Sequence, residues 1–565
     1  MYRKNEQHKQ PPLFSSLDDL PAKQRQRLAS SWAATFYEAF FCRIDEDIFA
    51  KLYSDKASRP NAPINVLVGL EVLKSGFGWS DAQLEEQLAY NVQVRYALGY
   101  RDLSAGHVEL RTVYNFRARL THHMETTGEN LLEQVFEQVT DEQIEALAIK
   151  TDKLRVDSTL VASNIRSMSR LQLLVEVLQR TWRMLSEIDQ ARYREVFKPY
   201  LKETSRRFTY RIERDQAQDH LSRIGLIMQQ LVSELKLLYT DCDTYQILAR
   251  VFAEHFIIED NRPHLRTGDE LGSSNLQSPD DTGATFRAKR GEDYQGYVTN
   301  VTETCDPDND IQLIVKVQTA SNTADDAQML NHAVPNLVAR TDVNEIYTDG
   351  GYNSPITDKI LQEYHIEQYQ TAIRGVSPRD EDNDPLRYSD FVFERTQRGF
   401  PLKVQCPHGQ LATVETTYTE GRFRAAFDAE VCAACPLLDR CPTFPLKRRP
   451  DRRHLRFGQQ DVNIAHRHAN LRKAHASEHN LRSAVEATVR SLKHPFGNDK
   501  LPVRGHTRMS MMMVMGAAMV NIRRIWRRMT TSWPATPAAV ALATHRSVTP
   551  LQVFVPSRRF LPSLA

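Results

Sequence analysis

The stretch Leu154-Arg-Val-Asp-Ser-Thr-Leu-Val161 decides how this chain is read. Apolar and polar residues alternate through it with the period of a β-strand, whereas the sequence on either side repeats its apolar residues at helical spacing. Further strand patterns follow at 297–304, 311–319, 345–348 and 368–373. A helix is expected at 323–339, with Pro335 a candidate break, and another at 356–364, after the sharp turn Asp349-Gly-Gly-Tyr-Asn-Ser-Pro355. Strand, strand, strand, helix, strand, helix, strand is an α/β order, so a sheet flanked by helices is expected.

Working outward, residues 62–120 read as several short helices. Pro63 opens a first turn, Val66, Leu67, Leu70 and Leu73 form an apolar face, Ser80 is an N-cap and Gly99 a stop. Arg111, Arg117 and Arg119 lie along the last of these helices, which is either part of a helix-turn-helix reader of DNA or one member of a plain bundle. From 169 to about 256 the spacing is again helical, through Leu171, Leu174, Val175 and Leu178, then Leu221, Ile224, Met228, Leu231 and Leu235. A polar linker at 271–283 leads back to the strands, and a helix at about 476–493 closes the pattern.

A chain of 565 residues suggests several units, at about 100–200 residues per domain. With 41% hydrophobic and 25% charged residues it is neither a disordered nor a fibrous composition. The longest apolar run, 509–520, falls short of the roughly 20 residues that cross a bilayer and is expected as a buried helix. The polar N-terminus carries no secretory pattern, so a cytoplasmic protein with reduced thiols is expected. The net charge of +2 conceals an asymmetry: residues 440–530 hold 20 Lys and Arg against 5 Asp and Glu, leaving 53 against 66 elsewhere. A local basic excess is either a solubilising surface or the footprint of a polyanion partner, nucleic acid above all.

Asp157 lies at the end of the first strand and Asp349 directly follows another, so neighbouring strands would bring both carboxylates to one place. Paired carboxylates suit Mg²⁺, and two such ions promote phosphodiester displacement; taken singly, each Asp is better explained as capping a turn. Glu486 is the third acid, with His479, Arg482 and Lys493 at offsets that share its helix face. Arg482, Glu486 and Arg490 also fit an ordinary ion-pair ladder. Cys406, Cys432, Cys435 and Cys441 fall within 36 residues, and a tight pair followed by a third and preceded by a fourth suits a closed tetrahedral Zn²⁺ site, with His408 an alternative ligand. Just beyond the knuckle, Arg448, Arg449, Arg452 and Arg453 form a cationic run placed to follow a phosphate backbone, or a solvated charged surface.

These residues resemble the bacterial insertion-sequence transposases of the Asp-Asp-Glu class. The last helix carries the most specific part of the likeness: Arg482, Glu486 and Lys493 match the family's Tyr-x2-Arg-x3-Glu-x6-Lys signature, with His479 where Tyr is usual. Arg155-Val-Asp-Ser-Thr159 is similar to the family's first-Asp strand, Tyr347-Thr-Asp-Gly-Gly-Tyr-Asn-Ser354 to its second-Asp motif, and Ser278-Pro-Asp-Asp281 with Tyr294-Gln-Gly-Tyr297 to the lead into its second strand. The resemblance implies a ribonuclease H-like mixed sheet, with Asp157, Asp349 and Glu486 as the triad holding two Mg²⁺ or Mn²⁺ ions; Asp152 is the rival first acid. It implies an N-terminal helical DNA-binding domain at 1–145, a core at 150–168 and 276–380, a helical insert at 169–275 and a zinc-ribbon-like insert at 381–465. The core's Glu-bearing and C-terminal helices would follow at 466–530, then a weakly ordered tail at 531–565. The implied activity is metal-dependent cleavage at transposon ends and strand transfer into target DNA. Terminal inverted repeats and target DNA are the implied partners, bound by a homodimer or larger synaptic complex at the nucleoid. A nuclease of the same fold without strand transfer, and an inactive zinc-containing DNA-binding protein, are the alternatives.

Overall fold

The computed structural model describes residues 1–10, 15–54, 56, 59–289, 291–373, 380, 383–396, 398–476 and 481–531. The first 150 residues are helical, with Trp32–Ala39, Ile64–Phe77, Leu110–Thr127 and Leu131–Leu147 as the main pieces. Ser80 caps the next helix, Asp81–Tyr90, in a reciprocal box with Gln83, as its sequence predicts.

Strand β1 (Lys153–Ala162) then enters the main sheet. Five helices follow, Arg170–Met184, Glu187–Leu201, Ser205–Tyr210, Arg214–Tyr239 and Asp243–His255, closed by the hairpin of β2 (Phe256–Glu259) and β3 (Arg262–Leu265). Leu174, Leu178, Ile224, Met228 and Leu231 bury the predicted stripes against one another, so this insert has a core of its own. The chain returns through β4 (Thr285–Lys289), β5 (Glu292–Thr304), β6 (Ile314–Ser321), β7 (Glu345–Thr348) and β8 (Glu367–Gln370).

Across the sheet the order is β6-β5-β1-β7-β8, with β4 hairpinned onto β5. β5 is antiparallel to both β1 and β6, whereas β1, β7 and β8 are mutually parallel. Gly296 sits where β5 presses against β1: a Cβ there would lie 2.3 Å from the Val161 carbonyl oxygen, so only glycine fits. One sheet face buries Leu154, Val156 and Ile346 under the helices Asp326–Arg340 and Pro355–Glu363. Pro335 does not break the first of these helices; its buried face of Leu330, Ala333, Val334 and Leu337 holds it continuous.

The other face carries Val161, Val301 and Val317 against the C-terminal helix His506–Thr531, which the N-terminal helices wrap. The run 509–520 is therefore a buried helix, as expected, and Gly76 meets it so closely that a Cβ would lie 2.2 Å from Met519 Cγ. Among the described residues, no helix is long and apolar enough to cross a membrane.

A second, wholly antiparallel sheet is built from β9 (Val392–Arg395), β10 (Pro401–Gln405), β11 (Leu411–Thr416), β12 (Arg422–Asp428), β13 (Phe444–Leu446) and β14 (Arg449–Gly458). Its order is β13-β14-β12-β11-β10-β9, over a core of Phe423, Phe427, Leu455 and Phe457. Sequence alone finds the cysteines here but not the sheet, because most of its strands are short and β12 and β14 place arginines beside their buried aromatics. The helix Gln459–Ala476 ties this sheet to the main one through His466–Glu367 at 2.6 Å and Arg467–Asp358 at 2.5 Å.

Candidate active site

β1 lies at the centre of the main sheet, and its odd-numbered residues face the helix Val485–Lys493. Arg155 Nη1 donates to the Leu481 carbonyl at 2.8 Å, Asp157 accepts from Arg482 Nη2 at 3.1 Å, and Thr159 Oγ1 lies 3.3 Å from Lys493 Nζ. Three alternate positions of one strand, 155, 157 and 159, thus lay out the segment 481–493 beside it.

The parallel register pairs Arg155 with Tyr347, and two residues further it brings Asp157 opposite Asp349, just past the end of β7. Asp157 therefore lies within β1 and not at its end, which corrects the expectation without separating the two acids. Asp152 is at the other edge: its carbonyl accepts from Asn344 and Glu345 at the start of β7, roughly 16 Å from Asp157 along the strand at about 3.3 Å per residue. Asp152 is therefore on the far side of the sheet edge from Asp349.

Burial pushes the Asp157 carboxyl above its ordinary range; Arg482 opposes this, and the charge of Asp349 adds to it. Asp349 Oδ1 accepts from the Gly351 N–H at 2.6 Å, a turn bond that fixes the carboxylate at the strand end. Tyr352 is fully buried and donates to Asn300 Oδ1 at 2.9 Å. Burial, then the charges of Asp326, Asp157 and Asp349, raise its hydroxyl well above the usual range, so it stays protonated beneath the acids.

Glu486 occupies the first turn of its helix with a side chain 68% exposed, and Arg482 Nη1 lies 3.6 Å from its Oε1. The helix expected at about 476–493 begins only at Val485. Arg155 captures the Leu481 carbonyl, and the backbone closes in tight turns from Arg482 to Val485 and from Ser483 to Glu486. Arg482 therefore reaches the acids from a turn, not from the face of a helix shared with Glu486. His479 lies outside the described residues, as does the tail from 532 onward. Lys493 remains on the helix, paired with Asp499 at 2.5 Å.

A second cluster supports the site. Glu303 of β5 is fully buried and accepts from Arg155 Nε at 2.7 Å, Thr488 Oγ1 at 2.8 Å and Arg524 Nη1 at 2.7 Å. It joins β1, β5, the Glu486 helix and the C-terminal helix at one point. Sequence reasoning passed over Glu303, Thr488 and Arg524; a charged residue within a strand pattern, as at 303, is the signal that finds the first of them.

The four clustered cysteines and His408 line one small apolar cavity in the second sheet module. Gln410 N–H and Thr443 Oγ1 each lie 3.3 Å from a sulfur, those of Cys406 and Cys441. Burial raises the Cys432 thiol, with Cys441 and Cys406 contributing. Of the basic run, Arg448, Arg449 and Arg452 are exposed on β14 and the turn before it. Arg453 is half-buried, donating to the Thr443 carbonyl at 2.6 Å. Among the described residues, no group of three or more His, Cys, Asp or Glu side chains converges closely enough to hold a metal ion. The two acids and four thiols are gathered at two places without closing around either.

The donor chemistry fits the implied ions nonetheless. Asp157 and Asp349 offer hard oxygens with Arg482 as the guanidinium shared with Glu486, and the cysteine cavity offers four soft sulfurs with N–H and O–H donors directed at them. Residues 405–526 match the family described as Transposase DDE domain, and residues 27–119 that described as Transposase domain (DUF772). The first match spans the cysteines, the basic run, Arg482, Glu486 and Lys493; Asp157 and Asp349 precede it. The chain matches no curated protein and no solved structure.

Proposed function

Because the chain belongs to the insertion-sequence transposases of the Asp-Asp-Glu class, enzymes that act on DNA, we propose that it cleaves DNA at the ends of its element and joins the freed 3′-hydroxyl to a target strand. One observation carries this reading: Asp157 and Asp349 come together at adjacent parallel strands, with Arg482 bridging to Glu486. The strand order β6-β5-β1-β7-β8, three antiparallel strands continued by two parallel ones, supports a ribonuclease H-like core.

Asp157, Asp349 and Glu486 would hold Mg²⁺ or Mn²⁺, which when bound activates the attacking oxygen and offsets charge on the scissile phosphate. Arg482 balances the acids and stands where it can donate to a phosphate oxygen once they are otherwise neutralised. Lys493, two turns along, presents a second cation on the same helix side. Tyr352 and Asn300 support the acid edge from below and exclude water there. Cys406, Cys432, Cys435 and Cys441 would hold a structural Zn²⁺ that clamps the second sheet, leaving Arg448, Arg449 and Arg452 displayed toward DNA. A dimer or larger complex on two terminal repeats completes the proposal.

Purified protein incubated with labelled element-end DNA and Mg²⁺, beside Asp349→Asn and Glu486→Gln, tests it. Nicking at the end and joined products are expected from wild type, with at least about a 100-fold loss in both variants while DNA binding persists. Equal cleavage by all three, or none by wild type with either Mg²⁺ or Mn²⁺, removes the triad assignment.

A further inference from the structure

Beside the acids lies a cleft that no part of the reading above uses. It is walled by Arg490 on the Glu486 helix, His494 at that helix's C-cap, and Arg523, Arg524 and Arg527 on the C-terminal helix, with a volume of about 470 Å³ and, among the described residues, no carboxylate in its lining. Two of its cations are occupied. Arg524 is bound to Glu303, and Arg523 donates to the Gly76 carbonyl at 2.8 Å while lying 4.9 Å over the Phe77 ring. Arg490 and Arg527 are exposed and, among the described residues, their side chains make no hydrogen bond or ion pair. Burial and the neighbouring Arg527 charge depress Arg523, which is what cations crowded without an anion undergo.

Position gives the cleft its meaning. Val485, Thr488 and Leu492 are the buried side of the helix, so its open side runs from Glu486 through Arg490 to His494 and Ser491. Arg490 is one turn beyond Glu486, and the cleft begins where the acid edge ends. A concentration of like charge has a cost in a folded chain unless a polyanion relieves it.

We infer that this cleft binds the phosphodiester backbone of the DNA strand whose scissile phosphate enters the acid edge, with Arg490 and Arg527 contacting successive phosphates. The inference rests on the transposase reading for its ligand and on the cleft for its residues. Two unpaired guanidiniums on facing helices suit a chain of phosphates better than a single carboxylate.

The test is fluorescence anisotropy of a labelled short duplex titrated with the full-length protein, without divalent metal, over a series of KCl concentrations. Arg490→Ala with Arg527→Ala is expected to weaken binding about 10-fold and to lower the salt slope by about 2, one for each lost phosphate contact. Arg490→Lys with Arg527→Lys is expected to keep the slope. Arg194→Ala with Arg206→Ala, which removes two exposed charges from the helical insert, is the control and is expected to change neither. An unchanged slope in the first pair, or an equal fall in the control, overturns the cleft assignment while wild-type cleavage leaves the transposase reading standing. Absence of salt-dependent binding by wild type overturns both.

Discussion

Two carboxylate clusters flank strand β1, one shared with β5 and the other with β7, and meet the same helix segment, yet they differ in charge balance. Glu303 is shut away from water, and every neighbour that touches its carboxylate is a donor: Arg155, Arg524 and Thr488. At the acid edge, Asp157 and Asp349 lie side by side with Arg482, which also faces Glu486, and Glu486 stays open to solvent. A cluster with cations in excess is held closed by its own interactions. One with acids in excess keeps unmet negative charge, and the shifted carboxyl of Asp157 reports it. Proximity of acids and bases therefore does not mark a site; the sign of the imbalance does.

That contrast is most directly broken at Glu303. Glu303→Ala leaves Arg155 buried without its partner and is expected to cost about 3–5 kcal/mol, read as a lower denaturation midpoint at unchanged slope. Asp349→Asn, in the same measurement, is expected to leave the midpoint near that of wild type. Equal losses in the two variants would erase the distinction between the clusters.

A smaller effect is expected from Thr488→Val, which keeps the shape of the side chain but removes its bond to Glu303. Roughly 1 kcal/mol of stability is expected to go, together with a fall in cleavage rate at saturating DNA, since Thr488 lies two residues from Glu486 and anchors its helix. A stability loss with an unaltered rate shows that the hub holds the fold but does not place the acid.

The folded state raises Asp157 above its ordinary value, so its contribution to stability is present at low pH and is lost as pH rises through the folded value. Asp157→Asn is therefore expected to have the higher thermal midpoint at neutral pH, with the gap closing on acidification. A midpoint at or below wild type at neutral pH means that the Arg482 pair outweighs the burial.

Much of the core is legible along the chain. The alternation at 154–161, the turn after Thr348 and the stripes of the insert each depend on neighbours in sequence, and each element forms near where its pattern lies. The helix before Lys493 is misjudged at its start because Arg155, more than 300 residues away, takes the Leu481 carbonyl. The second sheet escapes notice because four of its strands have only three to six residues, too few alternations to stand out from loop, and the longest, β14, opens on the charged run Arg449-Pro-Asp-Arg-Arg453.

The α/β order, the cysteine cluster, the basic excess toward the C-terminus and the candidate acids can all be read along the chain, since residue type and local period are written residue by residue. Only the tertiary structure decided that Asp157 and not Asp152 faces Asp349, that Arg482 works from a turn, that Glu303 is structural, and that Arg490 and Arg527 face one another across a cleft. These are matters of register and of contact between distant segments, and a strand's period of two fixes which side of it a residue occupies but not which residue lies opposite.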